Sequence, residues 1–188
     1  KRRLTHPSRY QETELGDLFA DILQESLRLD IMLVGSGSIR TTELGPIVLL
    51  SDFTECFPYD DVVHMLNVSG AQLRRMIHYM LRDEVWEGSH CEFYQFSQGL
   101  HVVYDKQSRQ FKEFTLNDEP ISDNRIYRIG LQHYHFSNLV DSFGVQLSEV
   151  EESGETRVIA TSCREILEEY LSSHQNLDRQ VCGRLIIA

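Results

Sequence analysis

The chain has 188 residues, of which 41% are hydrophobic and 25% are charged, and its net charge at neutral pH is -11. This balance fits one globular domain over residues 1–188 and argues against a disordered chain or a membrane protein, since no apolar run approaches the roughly 20 residues of a spanning helix. The acidic excess also argues against nucleic acid or an anionic membrane as a partner, because both bind basic surfaces.

The four cysteines are widely spaced, at Cys56, Cys91, Cys163 and Cys182. They form no CxxC pair, so the sequence indicates neither a zinc site nor a redox motif. We expect reduced, mostly structural thiols, with two disulfides as the alternative. Reduced thiols suit a reducing compartment, and the cysteines alone therefore favour the cytoplasm.

The first helix is predicted to begin after Thr13, which can cap it, because the apolar residues between positions 15 and 23 follow three- and four-residue spacing. Gly16 is a poor helix former in the first turn, which predicts that another group lies close to the backbone there. Residues 31–34 are four consecutive apolar residues and predict a strand buried on both faces. The helix is expected to pack against this strand.

A glycine-serine turn, Gly35-Ser36-Gly37-Ser38-Ile39-Arg40, follows the strand. Gly35 and Gly37 remove the Cβ atoms that would keep a ligand away from the backbone amides, and Arg40 supplies a fixed positive charge. Ligands of α/β architectures collect at the carboxyl ends of strands, so this turn is the first candidate binding site. The alternative is an ordinary connection that ends in a solvated arginine, and Arg9 has the same alternative.

The middle of the chain alternates short elements. Residues 47–50 predict a short strand, and residues 51–54 predict a brief helical turn that ends before Pro58. Pro58 stiffens the loop that carries Tyr59, so this tyrosine is a candidate exposed ring; the alternative is a core tyrosine. Residues 62–68 predict a strand, and Ser69 with Gln72 predicts a capping box for the next helix.

The second half is rich in predicted strands. Residues 93–105 indicate two strands interrupted at Gly99, residues 111–116 a returning strand, and residues 125–131 another strand. A final helix is predicted to be capped by Ser162 and Glu165, and residues 185–187 are expected to close the sheet. The fold we expect for the chain is α+β, with a mixed β-sheet packed by helices.

Two aromatics and two histidines alternate just after the strand that ends near residue 131. His133 and His135 have the spacing of a metal pair, but in an extended segment they would face opposite ways, and no carboxylate-histidine cluster surrounds them. We therefore predict no metal ligand here. Tyr134 and Phe136 are predicted to form an aromatic platform at the strand end.

Six short motifs occur in a defined order along nearly the whole chain. They are Glu12-Thr13-Glu14-Leu15-Gly16-Asp17-Leu18, Gly35-Ser36-Gly37-Ser38-Ile39-Arg40, Phe57-Pro58-Tyr59, Val68-Ser69-Gly70-Ala71-Gln72-Leu73, Ser97-Gln98-Gly99-Leu100 and Tyr127-Arg128-Ile129. In this order they resemble the C-terminal, substrate-binding domain of the 5'-nucleotidase and UDP-sugar hydrolase family.

The resemblance implies a domain that holds a nucleotide, nucleoside or nucleotide sugar for a separate metallophosphoesterase domain located upstream. In the family, that catalytic domain uses two divalent metal ions, and a rotation between the domains carries the substrate to them. The chain lacks the grouped Asp, His and Asn motifs of such a centre. We therefore expect no catalytic residue, cofactor or metal ligand in it. The family also makes secretion or the cell envelope an alternative location.

The resemblance also assigns roles to individual residues. Arg9 and Arg40 match the arginines that hold the substrate, and Tyr59 matches the phenylalanine on one face of the nucleobase. Tyr134 matches the opposing aromatic, with Phe136 as the alternative. Asp141 is the candidate for the aspartate of the family's Gly-Gly-Asp-Gly signature, after a shift of one residue.

The same turn and signature depart from the family pattern. Gly35 stands where the family has asparagine, and Ser36 and Ser38 replace glycines. The Gly-Gly-Asp-Gly signature is reduced to Asn138-Leu139-Val140-Asp141. These departures leave a second hypothesis open, a non-catalytic binding or scaffold domain that has lost its affinity for nucleotides.

Overall fold

The computed structural model describes residues 2–86 and 91–188. In chain order these residues form β1 (Leu4–Thr5), α1 (Glu14–Leu27), β2 (Ile31–Gly35), β3 (Glu43–Leu44), α2 (Leu50–Cys56), β4 (Val63–Ser69), α3 (Gly70–Met80), α4 (Asp83–Trp86), β5 (Tyr94–Phe96), β6 (Leu100–Asp105), β7 (Gln110–Leu116), β8 (Glu119–Pro120), β9 (Ile126–Gln132), α5 (His133–Ser137), α6 (Leu139–Phe143), α7 (Leu147–Glu151), β10 (Arg157–Ala160), α8 (Cys163–Ser173) and β11 (Leu185–Ile187). The predicted α+β class is confirmed.

A five-stranded mixed sheet is the centre of the fold, with the strand order β10-β4-β9-β2-β5. Strands β2 and β9 are parallel neighbours, whereas β4 pairs with β9 in the antiparallel direction. A second sheet has the order β11-β6-β7-β8, and β1 pairs with β3 separately. The two predicted strands on either side of Gly99 are confirmed as β5 and β6, but they belong to different sheets.

The central sheet is covered on both faces, as the apolar run in β2 predicts. Ile31 and Leu33 belong to the core cluster that contains α3 and the second sheet. Met32 and Val34 belong to the cluster that contains α1 and α8. Because successive side chains of a strand point to opposite faces, one continuous apolar run supplies both halves of the core.

The predicted helix caps are confirmed. The Thr13 hydroxyl accepts a hydrogen bond from the backbone N–H of Gly16 at 3.1 Å, and Ser69 forms a capping box with Gln72 at the start of α3. A Cβ at position 16 would overlap the Gln95 side chain, which explains the glycine in the first turn of α1. Ser162 caps α8. Among the described residues, no helix has the length and hydropathy needed to cross a membrane.

The predicted strand at residues 47–50 is wrong. Residues 47–49 form a loop in which Ile47 is 81% exposed, and Leu50 begins α2. The apolar pattern is typical of a strand, but β3 ends at Leu44, the chain turns at Gly45, and no strand of the described ranges pairs with the loop. A strand needs a partner for its backbone groups, which this position does not provide.

A buried ion cluster fastens the end of the chain to α1. The Arg184 guanidinium donates two hydrogen bonds to the Asp21 carboxylate, at 2.6 and 3.0 Å, and a third to the carbonyl oxygen of Phe96 at 2.7 Å. Its Nε lies 3.4 Å from the Asp17 carboxylate. Burial raises the pKa of Asp17 to about 8, although Arg184 partly opposes this rise.

Candidate functional site

Three segments meet at one edge of the central sheet. Because β2 and β9 are parallel neighbours, their carboxyl ends lie side by side, and residues 35–40 come next to residues 132–138. Strand β4 begins at the same edge, where Val63 pairs with Gln132, so the loop before it joins them. The backbone N–H of His133 donates to the carbonyl oxygen of Val62 at 2.8 Å. The candidate site therefore lies at the carboxyl ends of β2 and β9.

These segments surround a cleft of about 620 Å³. Its lining contains five of the eight residues proposed from the sequence, namely Arg9, Gly37, Arg40, Tyr59 and Tyr134. The remaining lining residues are Ser38, Asp60, Asp61, Glu92, Gln132, His133, His135, Ser137 and Asn138. A cleft of this size is within the range of small-molecule sites.

Tyr59 presents its ring to solvent at this cleft. The residue is 51% exposed, so the core-tyrosine alternative is wrong. The Cζ atom of Arg40 lies 6.0 Å from the centre of the Tyr59 ring, which is the outer limit of a cation–π contact. An exposed ring beside a cation is able to contact a flat ligand and its polar groups together.

Tyr134 lies in α5 and is 65% exposed. Its backbone N–H donates to the Asp61 carboxylate at 2.9 Å, and its carbonyl oxygen accepts from the Asn138 side chain at 2.7 Å. The backbone of Tyr134 is therefore fixed on both sides while the ring stays open to solvent. The expected extended geometry of this segment is wrong, because residues 133–137 are helical.

Phe136 and Asp141 are not among the residues that line the cleft. The Phe136 ring stacks on His64, with the ring centres 3.9 Å apart and an interplanar angle of 7°. Asp141 lies in α6 and is exposed, and its carbonyl oxygen is 3.4 Å from an Arg82 nitrogen that donates to it. The structure therefore brings Tyr134, and not Phe136, to the cleft with Tyr59.

The two glycines of the turn make room for neighbouring side chains. A Cβ at Gly35 would overlap the His135 ring, and a Cβ at Gly37 would overlap the Arg9 guanidinium. The amide of Gly35 already donates to the Gln132 side-chain oxygen at 3.0 Å. The glycines thus permit close packing within the site, and the Gly35 amide is not open to a ligand.

We expect Gly35→Ala to lower the free energy of unfolding by roughly 1–3 kcal/mol, because a methyl group forced into a packed site displaces its neighbours. The His135 ring has no room to move, since it is buried and hydrogen-bonded to the Tyr94 hydroxyl at 2.9 Å. Urea denaturation measures the loss. In a His135→Ala background the added methyl has space, so the loss should shrink; an equal loss in both backgrounds would contradict this explanation.

The two arginines of the cleft differ in what they contact. The Arg9 guanidinium lies 3.5 Å from the Glu92 carboxylate. Arg40 is exposed, and its guanidinium is 3.4 Å from the Gly37 carbonyl oxygen. Within residues 2–86 and 91–188, no carboxylate is within ion-pairing distance of Arg40. Arg40 is therefore the arginine available to a ligand.

Several polar residues of the cleft, and His64 beside it, were not predicted as site residues. The His64 and His133 rings share a hydrogen bond of 2.8 Å, and His133 also bonds to Ser137 at 3.1 Å. Burial, reinforced by His133, lowers the pKa of His64. Gln132 bonds to Ser38 as well as to Gly35. Their proximity arises from the pairing of β4, β9 and β2, and nothing in their local sequence signals it.

Burial also keeps His135 neutral. The residue is 3% exposed, and burial lowers the pKa of its ring to about 4. The ring is therefore uncharged at neutral pH and supports Gly35 and Tyr94 from behind the cleft. Although this histidine contributes to the lining, the geometry gives it a packing role.

One group of potential metal ligands occurs within the part of the chain that the structure describes, consisting of Glu12, Asp17 and Cys182. It does not fit a two-metal phosphoesterase centre, which needs many more ligands and an open coordination position. The Arg184 guanidinium also lies 3.4 Å from the Asp17 carboxylate, where its charge would oppose a cation. This group lies outside the cleft lining.

The fold and the cleft together define an α+β domain with a cleft of small-molecule size, and comparisons with known proteins identify its family. The family described as 5'-nucleotidase, C-terminal domain, matches residues 2–144. The match covers most of the chain, which therefore belongs to this family. A 5'-nucleotidase of Vibrio parahaemolyticus is 21% identical over 170 residues, which are 90% of this chain and 28% of that protein.

Solved structures give the same fold. The 5'-nucleotidase precursor of Thermus thermophilus superposes with a TM-score of 0.80 at 19% identity, covering 98% of this chain and 38% of its own. The NAD nucleotidase of Haemophilus influenzae superposes with a TM-score of 0.72 at 14% identity, covering 93% of this chain and 33% of its own. The chain thus spans well under half the length of these relatives.

Proposed function

We propose that this chain is the nucleotide- or nucleoside-binding specificity domain of a 5'-nucleotidase or UDP-sugar hydrolase type of phosphohydrolase. The observation that carries the proposal is the placement of two exposed tyrosines, Tyr59 and Tyr134, in one cleft with Arg40. Membership of the 5'-nucleotidase C-terminal domain family supports it independently.

In this proposal the two rings hold the base and Arg40 holds an oxygen of the ribose or phosphate. Stacking on an aromatic side chain is worth roughly 1–3 kcal/mol per base and tolerates different bases, because every base has a π-face. The planar guanidinium of arginine suits paired oxygens of a phosphate or sugar. The tyrosines and Arg40 therefore both contribute affinity, and Arg40 also orients the ligand.

Chemistry is assigned to a separate domain. The chain spans 28% of the Vibrio 5'-nucleotidase and 38% of the Thermus precursor, so those proteins contain much more than this domain. We propose that the bound ligand presents its phosphate to an upstream domain that holds two divalent metal ions. The isolated chain is expected to bind ligand and to hydrolyse nothing.

A non-catalytic binding or scaffold domain is the second candidate. The observation that favours it is the position of Asp141, which lies in α6 and not in the cleft lining, so the counterpart of the family's signature aspartate is missing from the site. The exposed tyrosines and Arg40 oppose this candidate, because a scaffold has no need for them in one cleft.

Isothermal titration of the chain separates the two candidates. Adenosine, adenosine monophosphate and a uridine diphosphate sugar are titrated without added metal. The nucleotide-binding proposal predicts saturable binding of at least one ligand at one site. If a folded sample binds none of the three, the scaffold candidate is favoured.

We expect Arg40→Ala to weaken nucleotide binding by roughly 10- to 100-fold, because hydrogen bonds to a charged group contribute about 1.5–3 kcal/mol. The fold should survive, since the guanidinium is exposed and makes one long contact within the turn. Arg157→Ala, an exposed arginine on β10 outside the cleft, is the matched control. Equal affinities in the two variants would remove Arg40 from the binding site.

A further inference from the structure

One carboxylate of the cleft occupies the groups that the sequence assigned to a ligand. The Glu92 carboxylate accepts a hydrogen bond from the Gly37 amide at 2.8 Å through Oε1, and its Oε2 lies 3.5 Å from the Arg9 guanidinium. We call these two groups, the Gly37 amide and the Arg9 guanidinium, the anion cradle. The anion cradle is filled by a side chain of the protein itself.

Partial burial of Glu92 strengthens its interaction with the anion cradle. The Glu92 side chain is 19% exposed, so its charge is only partly screened by water, whereas Arg9 is 43% exposed. Gly37 has no Cβ, and a Cβ there would also come within 2.9 Å of Glu92. The glycine therefore allows Glu92 and Arg9 to approach the turn together.

The charges of the lining point to the same conclusion. Two arginines, Arg9 and Arg40, face three carboxylates, Asp60, Asp61 and Glu92. The described lining therefore carries one more carboxylate than arginine, although Arg164, which is not among the lining residues, lies 3.8 Å from Asp60 and offsets part of its charge. A phosphate group next to Asp61 and Glu92 would be repelled by their charges, while sugar hydroxyls would find acceptors.

We infer that Glu92 is a specificity-determining residue that reserves the cleft for the uncharged nucleoside part of the ligand and excludes phosphate from the anion cradle. This inference rests on the proposed nucleotide-binding function. Arg40 is the cationic group left for the phosphate, which then stays at the mouth of the cleft. The ligand class is a nucleoside, or a nucleotide that binds through its nucleoside part.

The test compares adenosine with adenosine monophosphate by isothermal titration of the parent chain and its variants. Glu92→Gln keeps the length of the side chain and an acceptor for the Gly37 amide but removes the charge. We expect it to raise the affinity for adenosine monophosphate by roughly tenfold and to leave adenosine within about twofold, because one short-range charge is removed.

Arg9→Gln completes the comparison. In the parent chain this variant should not raise the affinity for adenosine monophosphate, since it leaves the charge of Glu92 in place. In the Glu92→Gln background it should remove the tenfold gain, because the freed guanidinium is what binds the phosphate. Glu168→Gln, on the exposed face of α8, is the matched control and should leave the affinities for both ligands unchanged.

The outcomes separate the inference from the function on which it rests. If Glu92→Gln binds adenosine but has the same ratio of affinities for adenosine and adenosine monophosphate as the parent chain, Glu92 does not determine specificity. The proposed function would still stand in that case. If the gain in affinity for adenosine monophosphate persists when Arg9→Gln is added to Glu92→Gln, the anion cradle is not where the phosphate binds. Failure of the folded parent chain to bind adenosine would overturn the inference, and failure to bind any of adenosine, adenosine monophosphate and a uridine diphosphate sugar would overturn the proposed function as well.

Discussion

Replacing Arg184 with methionine is expected to lower the free energy of unfolding by roughly 3–5 kcal/mol, because removing one partner of a buried ion pair leaves an uncompensated charge. Arg184 is 7% exposed and holds Asp21, which is 2% exposed, through two hydrogen bonds. Arg179 also contacts Asp21 at 3.0 Å, which should keep the loss near the lower bound. Urea denaturation followed by circular dichroism measures it.

The control is Arg157→Met, which changes an exposed arginine on the edge strand β10. Surface substitutions of this kind usually alter stability by no more than about 0.5 kcal/mol. The two variants should therefore differ clearly in their free energies of unfolding. If both unfold at the same urea concentration, the ion cluster does not hold the last strand to α1 in the way that its geometry indicates.

The second large effect concerns the two tyrosines of the cleft. Tyr59→Ala and Tyr134→Ala are each expected to weaken nucleoside binding roughly 5- to 150-fold, since each removes one stacking surface. The double variant should show no measurable binding. Isothermal titration with adenosine and with uridine measures both, and the loss should be similar for the two bases because stacking is tolerant of base identity.

Tyrosine-to-phenylalanine changes are the matched controls. Tyr59→Phe and Tyr134→Phe keep the ring and remove the hydroxyl, so the stacking account predicts affinities close to that of the parent chain. Both residues are more than half exposed, so neither alanine variant should unfold the domain. Weak binding in the phenylalanine variants as well would assign the contacts to the hydroxyl groups instead of the ring faces.

The parts of the fold that could be predicted from the sequence are those set by local chemistry. Thr13, Ser69 and Ser162 cap helices because their hydroxyls reach the next backbone amides within three residues. The apolar run of β2 and the proline before Tyr59 likewise shape the chain over only a few residues. From these local features the candidate turn at residues 35–40 and the exposure of Tyr59 could be predicted.

The rest depends on contacts between distant segments. Glu92 meets Arg9 across 83 residues, and Arg184 meets Asp21 across 163 residues. No spacing rule connects such pairs, so the occupied anion cradle and the buried ion cluster could not be foreseen. The strand predicted at residues 47–50 is wrong for the same reason, because a strand needs a pairing partner that the local pattern does not specify.

The claim that the cleft of Tyr59, Tyr134 and Arg40 binds nucleosides is tested most directly by amide chemical shifts of the isotope-labelled chain during titration with adenosine. If adenosine binds in this cleft, saturable shifts should be concentrated in the segments 37–40, 59–61 and 132–138, which carry most of its lining residues. Saturable shifts centred elsewhere, for example along α3, or a spectrum unchanged at millimolar adenosine, would contradict it.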